Sequence, residues 1–294
     1  MKIFITGGSG MLGQYLNIEL SKKFEILTQH NKNAGNSADF NSIKLSITDY
    51  PKLEKVFQDF QPDVVIHTAA VSNPERADEL PADKVYEINV NASQHLAELC
   101  EKYKAKMIYT STDLVYAGYR GSMLKEDAKL IPVSLYAETK LMGEVKIKET
   151  FDNYLMLRVA LQIGLGLNNT TNNFQKMYNN LKSKLPVKLY TDQFRTPLAL
   201  HESARMIGEL IEKDIRNEVI NFSGSERVSR YELGEILCEE AGFDKNLLTP
   251  LTMEEARLVY KVADVSLNNE KLKSFGVVPK NLREMIREII NSRT

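Results

Sequence analysis

The sequence has little with which to staple, ligate or anchor itself. Its two cysteines, Cys100 and Cys238, sit far apart and lack the spacing of a metal site. Each lies in a helical pattern beside apolar residues, which is the setting of a buried, inert thiol. No run of about 18 apolar residues occurs, and the apolar N-terminus is broken by glycines at once, so neither a membrane span nor a leader is expected. An excess of one charge is also missing: 38 basic and 39 acidic side chains leave a formal net charge of -1. That balance gives no nucleic-acid surface and no acidic tail. Internal repeats and low-complexity segments are absent, as is any linker clear enough to cut the chain. The expectation is a cytoplasmic protein of a reducing compartment, without metal, membrane or nucleic-acid partner. Its function must therefore be read from sites.

What is present is a chain of 294 residues, 43% hydrophobic, enough for one large domain or two modest ones. Lys2 to Thr6 reads as a short apolar strand that runs through glycines into the helical pattern Met11 to Lys22. Strands are expected again at Phe24 to Thr28, Asp63 to His67, Lys106 to Ser111 and Tyr154 to Val159. Between them lie a polar, turn-rich stretch from His30 to Ser42 and helical patterns over Tyr50 to Phe60, Glu87 to Tyr103 and Ser134 to Phe151. Apolar strands alternating with helices, without hairpin signals, indicate an α/β fold with a doubly wound parallel sheet covered on both faces. After Gly164 the pattern changes to a polar loop, Asn168 to Asn173, and an amphipathic helix, Phe174 to Lys184. Short strands near Val187 to Leu189 and Val219 to Asn221 are expected to extend the main sheet. The division expected is residues 1–165 as a dinucleotide-binding domain, its sheet completed by parts of 186–221. Residues 166–185 and 222–294, with the helix Ser229 to Ala241, form a smaller C-terminal cap.

Thr6-Gly7-Gly8-Ser9-Gly10-Met11-Leu12-Gly13 lies between the first strand and its helix. Small residues there let backbone approach a pyrophosphate, and the helix N-terminus offers free N–H groups and a positive dipole end. Glycines also make ordinary turns, but strand before and helix after favour the dinucleotide reading. An NAD-selective site carries an acid after the second strand. Here that stretch is Thr28-Gln29-His30-Asn31-Lys32, without a carboxylate. Lys32 or His30 could pair with a 2′-phosphate, or Lys32 could be a solvated loop lysine. The balance leans slightly to NADP(H) over NAD(H).

Tyr136 and Lys140 are spaced i, i+4, which puts both on one helix face. Ser111-Thr112-Asp113 ends the fourth predicted strand, and ligands of open parallel sheets bind beyond such carboxyl ends. With His67-Thr68-Ala69-Ala70, Leu114-Val115-Tyr116, Gly143-Glu144 and Asp192-Gln193-Phe194-Arg195-Thr196-Pro197, the chain resembles the extended short-chain dehydrogenase/reductase family over nearly its whole length. Within that family it is most similar to the dTDP-4-dehydrorhamnose reductase branch. The resemblance implies a Rossmann-type fold. It implies that Tyr136 protonates the carbonyl oxygen, that Thr112 hydrogen-bonds the same oxygen, and that Lys140 holds the nicotinamide ribose. The Lys140 ammonium would also stabilise the Tyr136 phenolate. Cofactor contacts are implied for Gly7, Gly10, Met11, Leu12, Gly13, His30, Lys32, Ser46, Ile47, Ala69, Ala70, Val71, Asn89, Thr110 and Ser111, besides Tyr136 and Lys140. Small residues at 69 and 70 also suit simple packing at a strand end, Asn89 a helix cap, and His67 a packed histidine.

Related sugar-nucleotide dehydratases follow their Thr-Asp with a glutamate, where this chain has Leu114, and related epimerase-reductases carry a cysteine that residues 112–118 lack. Ketone reduction needs nothing beyond what is present. The resemblance therefore implies a reductase of a 4-keto-6-deoxy sugar nucleotide, with Asp113 and Arg195 on the substrate side. Arg195 suits phosphate oxygens, and equally suits a structural tie from loop to sheet. Where such proteins have Arg-Pro before Asp-x-x-Leu, this chain has Val262-Ala263 before Asp264-Val265-Ser266-Leu267. A sugar-nucleotide 4-epimerase and a non-catalytic subunit like the β subunit of methionine adenosyltransferase are the other readings, and a homodimer stays open.

Overall fold

The computed structural model describes residues 1–168 and 170–292. In chain order the elements are β1 (Lys2–Thr6), α1 (Met11–Leu20), β2 (Glu25–His30), β3 (Ser42–Lys44), α2 (Tyr50–Phe60), β4 (Val64–His67), α3 (Pro74–Asp78), α4 (Ala82–Tyr86), α5 (Ala92–Tyr103), β5 (Lys106–Thr112), α6 (Leu135–Thr150) and β6 (Tyr154–Val159). There follow β7 (Gln162–Ile163), α7 (Asn173–Lys182), β8 (Val187–Tyr190), β9 (Phe194–Arg195), β10 (Leu198–Ala199), α8 (Leu200–Ile211), β11 (Glu218–Phe222), β12 (Val228–Ser229), α9 (Arg230–Ala241), β13 (Leu248–Leu251), α10 (Glu270–Ser274) and α11 (Leu282–Asn291).

Seven parallel strands form the main sheet in the order β11-β6-β5-β4-β1-β2-β3. The chain reverses its direction of travel between β1 and β4, so a crevice opens at their carboxyl ends, where Thr6 pairs with His67. The strands are apolar on both faces because both are covered. Ile3, Ile5, Ile66, Ile108 and Leu157 point to one side, with Leu16 and Leu20 of α1 and Ile207 and Leu210 of α8. Phe4, Val65, Met107 and Met156 point to the other, with Leu53, Phe57, Leu96 and Ile147.

Of the two short strands expected to extend the sheet, only the second does. β11 pairs in parallel with β6, but β8 pairs with β13 in a separate two-stranded sheet. The reason is local: β8 leaves α7 on the far side of the crevice, where Leu248 to Leu251 is the available edge. β8, β13 and α9 thus form the opposite wall, and a small antiparallel pair, β9 with β12, carries Arg195 against Val228. Among the described residues no helix is long and apolar enough to cross a membrane.

Two buried polar residues of α1 fix the crevice rim. Asn17 Nδ2 donates to the Gly8 carbonyl at 3.0 Å and to Asn36 Oδ1 at 2.9 Å. Gln14 Oε1 accepts from the Asn36 N–H and from Asn168 Nδ2, both at 3.0 Å. The polar loop expected at 168–173 is therefore tied down onto α1, with its residue Asn169 outside the described residues.

Candidate active site

One cleft of about 1310 Å³ runs along the carboxyl ends of the sheet. That exceeds the roughly 300–1,000 Å³ of a site for one small ligand, so it has room for two. Its floor begins at the glycine loop. Gly7 adopts φ +72°, and a Cβ there would stand 2.7 Å from the Ala69 nitrogen. A Cβ on Gly13 would stand 2.2 Å from the Gly7 carbonyl oxygen, so only glycine lets α1 begin this close to the turn. Gly10 is the N-cap of α1 and offers no side-chain cap. The first-turn N–H groups of Met11, Leu12 and Gly13 are left for whatever occupies the cleft they line. This cradle fits a pyrophosphate.

Around it the cleft is lined by Ser46, Ile47, Ala69, Ala70, Val71, Thr110, Ser111, Thr112, Asp113, Tyr136 and Lys140. Thr110 is fixed by its hydroxyl, which donates to the His67 carbonyl at 3.0 Å. The Ser111 hydroxyl is buried without a hydrogen-bond partner in the protein, at the edge of the cleft that Ser111 lines. β5 delivers Thr112 and α6 delivers Tyr136 and Lys140, one helical turn apart. α6 starts at Ser134, whose hydroxyl accepts the Ala137 N–H at 3.3 Å, and that cap sets Tyr136 at the cleft.

Tyr136 stands beside Thr112, whose hydroxyl donates to Asp113 Oδ1 at 3.2 Å. Burial pushes the Tyr136 phenol up to about 12, opposed by the Thr112 hydroxyl and reinforced by Asp113. Burial also pulls Lys140 down to about 7, against the attraction of Glu144. Among the described residues no hydrogen bond joins the Lys140 ammonium to Tyr136. The ammonium lies 4.0 Å from the centre of the Tyr109 ring instead. Tyr136 is thus held as a neutral acid. Asp113 is buried, with Oδ2 unpaired by any hydrogen bond and 3.9 Å from Arg195 Nε. Burial raises its pKa, opposed chiefly by Arg195.

Several expected residues lie elsewhere. His30 is outside the cleft lining, and burial followed by Lys44 lowers its pKa. Lys32 lines an adjoining polar recess with Ser9, Asn31, Asn33 and Gly35. Asn89 is a clamp and not a helix cap: its amide accepts from the Val71 N–H at 2.8 Å and donates to Thr139 Oγ1 at 3.0 Å, joining the cleft edge to α6. His67 is a packed histidine, with Nδ1 2.6 Å from Thr6 Oγ1 and Nε2 2.9 Å from Ser93 Oγ. Arg195 is 4% exposed and bonds the Phe194 and Val262 carbonyls. It ties β9 to the 262–267 segment and does not line the cleft.

Two arginines do line it: Arg76, paired with Glu79 at 2.7 Å, and Arg230, which the motif reading passed over. Arg230 Nε donates to Gln193 Oε1 at 2.9 Å. Burial, then repulsion from Arg195, lowers its pKa to about 9. A signal existed in the sequence. Ser229 and Glu232 form a capping box that fixes 230 as the first residue of α9. A cation there opposes the helix dipole, a local cost that marks functional positions. Gln29 was also missed: its side chain accepts from the Gly7 N–H at 2.9 Å and donates to the Leu45 carbonyl at 2.6 Å, bracing the glycine turn.

The chain is 26% identical to the spore coat polysaccharide biosynthesis protein SpsK of Bacillus subtilis over 293 residues, covering 100% of this chain and 98% of that protein. It is 28% identical to methionine adenosyltransferase 2 subunit beta of Xenopus laevis, covering 98% of this chain and 87% of that one. Its fold matches a solved dTDP-4-dehydrorhamnose reductase ortholog from Clostridium acetobutylicum with a TM-score of 0.83 at 26% identity, covering 100% and 99% of the two chains. The family described as the RmlD substrate binding domain matches residues 1–294, and the chain belongs to that family, within the extended short-chain dehydrogenases/reductases.

Proposed function

We propose that this chain is an NAD(P)H-dependent reductase of a 4-keto-6-deoxy sugar nucleotide, with a substrate like that of dTDP-4-dehydrorhamnose reductase. The observation that carries the reading is the meeting of Thr112, Tyr136 and Lys140 in a cleft whose far end is the glycine cradle. Residues 1–165 with β11 would hold the cofactor, and 166–185 with β8 and residues from 223 onward the substrate.

The pyrophosphate would rest on Gly7, Gly10, Met11, Leu12 and Gly13, the nucleoside near Ser46 and Ile47, and the nicotinamide side along Ala69, Ala70, Val71, Thr110 and Ser111. When bound, the nicotinamide supplies hydride to the carbonyl carbon. Tyr136, neutral because it is buried, donates its hydroxyl proton to the carbonyl oxygen. Thr112 hydrogen-bonds that oxygen and polarises it. Lys140 offers its N–H donors to the ribose and its charge to the phenolate that proton transfer leaves behind. Leu114, which lines the cleft beside Asp113, holds no proton and so supports reduction over elimination. Lys32 in the recess beyond the glycine loop, with no carboxylate among that recess's lining residues, supports NADP(H) over NAD(H). Arg230, held by Gln193, replaces Arg195 as the cationic contact for the substrate's anionic group.

The test is oxidation of NADPH on mixing with dTDP-4-dehydrorhamnose, followed by absorbance. Tyr136→Phe should lower the rate by about 10²–10⁴-fold, the usual worth of a general acid, while leaving the fold intact. No oxidation above background by the unaltered protein would remove this substrate. Similarity to the methionine adenosyltransferase subunits supports a second reading, a cofactor-binding regulatory subunit. Under that reading the Phe variant behaves like the parent in every assay.

A further inference from the structure

We propose that Tyr109 is the positioning residue of Lys140: its ring face carries the ammonium, and its hydroxyl, seated at the bare Cα of Gly143, pins that ring to α6. The inference accounts for Gly143-Glu144, a pair the proposed chemistry leaves unused, and it rests on the proposed function only for what Lys140 does.

Tyr109 is fully buried on β5, and its ring centre lies 4.0 Å from Lys140 Nζ. Its hydroxyl donates to the Lys140 backbone carbonyl at 3.3 Å. A Cβ on residue 143 would stand 2.4 Å from that hydroxyl and 2.9 Å from the Asn89 carbonyl oxygen. Glycine at 143 is thus a requirement of the tyrosine's seat. Beneath the ring, His67 lies 5.6 Å away in a tilted contact, itself fixed by Thr6 and Ser93.

The titratable groups that act on or touch Lys140 are His67 from β4, Tyr109 from β5 and Glu144 from its own helix, with Tyr136 one turn earlier on the same cleft. Glu144 is committed to Arg158, with a hydrogen bond of 3.1 Å to Nε and another of 2.9 Å to Nη2. His67 is buried between two hydroxyls and held far below its ordinary range, so it is neutral. What is left to receive the ammonium is the negative face of an aromatic ring. That choice has a chemical consequence. A carboxylate would occupy the ammonium's N–H donors, whereas a ring stabilises the charge without a lone pair. Lys140 is therefore held in place with donors free for the cleft it lines.

The experiment keeps shape and removes the quadrupole. Tyr109→Phe and its trifluoro and pentafluoro analogues are placed at 109 in the full chain. The ionisation of Lys140 is then read without any ligand, by competitive acetylation across pH and mass spectrometry of its peptide. We expect the Phe variant to titrate close to the parent. The midpoint should then fall with each step of fluorination, by about half a pH unit or more at pentafluorophenylalanine. A merely structural ring predicts one midpoint for the whole series, and that result overturns the proposal. Because acetylation needs neither cofactor nor substrate, failure of the proposed reduction leaves this test standing.

Discussion

Replacing Lys140 by methionine should stabilise the protein at neutral pH while abolishing turnover. Lys140 is 3% exposed, and Glu144, the nearest acid on its helix, belongs to Arg158 at 2.9 Å. Burial lowers the ammonium from 10.5 to about 7. One pH unit is worth about 1.4 kcal/mol, so a gap of about 3.5 units corresponds to up to about 5 kcal/mol. The sign follows from proton counts. Below about pH 7 the lysine is charged in both folded and unfolded chains, and folding carries the whole cost of burying it. Between about 7 and 10.5 the unfolded chain binds a proton that the folded one does not, and stability rises by about 1.4 kcal/mol per unit. Methionine has a similar length, no charge and no such penalty at any pH. Urea unfolding of both ligand-free proteins near pH 6, 8 and 10, followed by circular dichroism, reads the difference. The variant should lead by several kcal/mol at the lowest pH, with the lead nearly gone at the highest. A difference independent of pH would refute the reasoning, because only the ionisation of this lysine makes it vary.

Glu144→Gln should cost about 3–5 kcal/mol in urea unfolding, because it leaves Arg158, 3% exposed, without its carboxylate; a loss under about 1 kcal/mol would mean that Tyr116 and the Glu126 carbonyl suffice for that guanidinium. Arg230→Met should raise KM for dTDP-4-dehydrorhamnose about 10–100-fold with kcat changed only a few-fold, since a charge-assisted hydrogen bond to bound substrate is worth roughly 1.5–3 kcal/mol. An unchanged KM would return the substrate's anionic group to some other residue.

The parallel core was legible because strands buried on both faces need no subtle periodicity. Lys2–Thr6, Val64–His67, Lys106–Thr112 and Tyr154–Val159 are apolar runs bounded by turns, and all stand in the sheet. What could not be read was pairing. β3 is three residues with one apolar side chain, Ile43, inside a polar stretch, and it exists because the edge of β2 offers backbone hydrogen bonds. β8 and β11 look alike as short valine-bearing strands. Their difference lies in the partner: β8 meets β13, whose Pro250 argues against a strand to any local reading and is tolerated because the pair has free edges.

The site divides along the same line. Residues whose placement is set by their own segment, such as the glycine turn and the Tyr136–Lys140 helix face, were visible. Residues whose role is set by what faces them were not. Arg195 sits in a recognisable motif, yet its guanidinium is spent on the Val262 carbonyl at 3.2 Å. Val262 is also where the resemblance led one to expect an arginine, and the structure gives that departure a physical frame. The side chain packs among Val115, Tyr116, Leu124, Val265 and Leu267. A Cβ on Gly118 would come within 2.7 Å of its Cγ1. A long cationic side chain at 262 would have to displace this buried cluster, which lies outside the cleft lining. In the cleft itself, α9 begins with an arginine that its own dipole disfavours. That retained cost makes Arg230 the residue at which the proposed anion contact is to be tested.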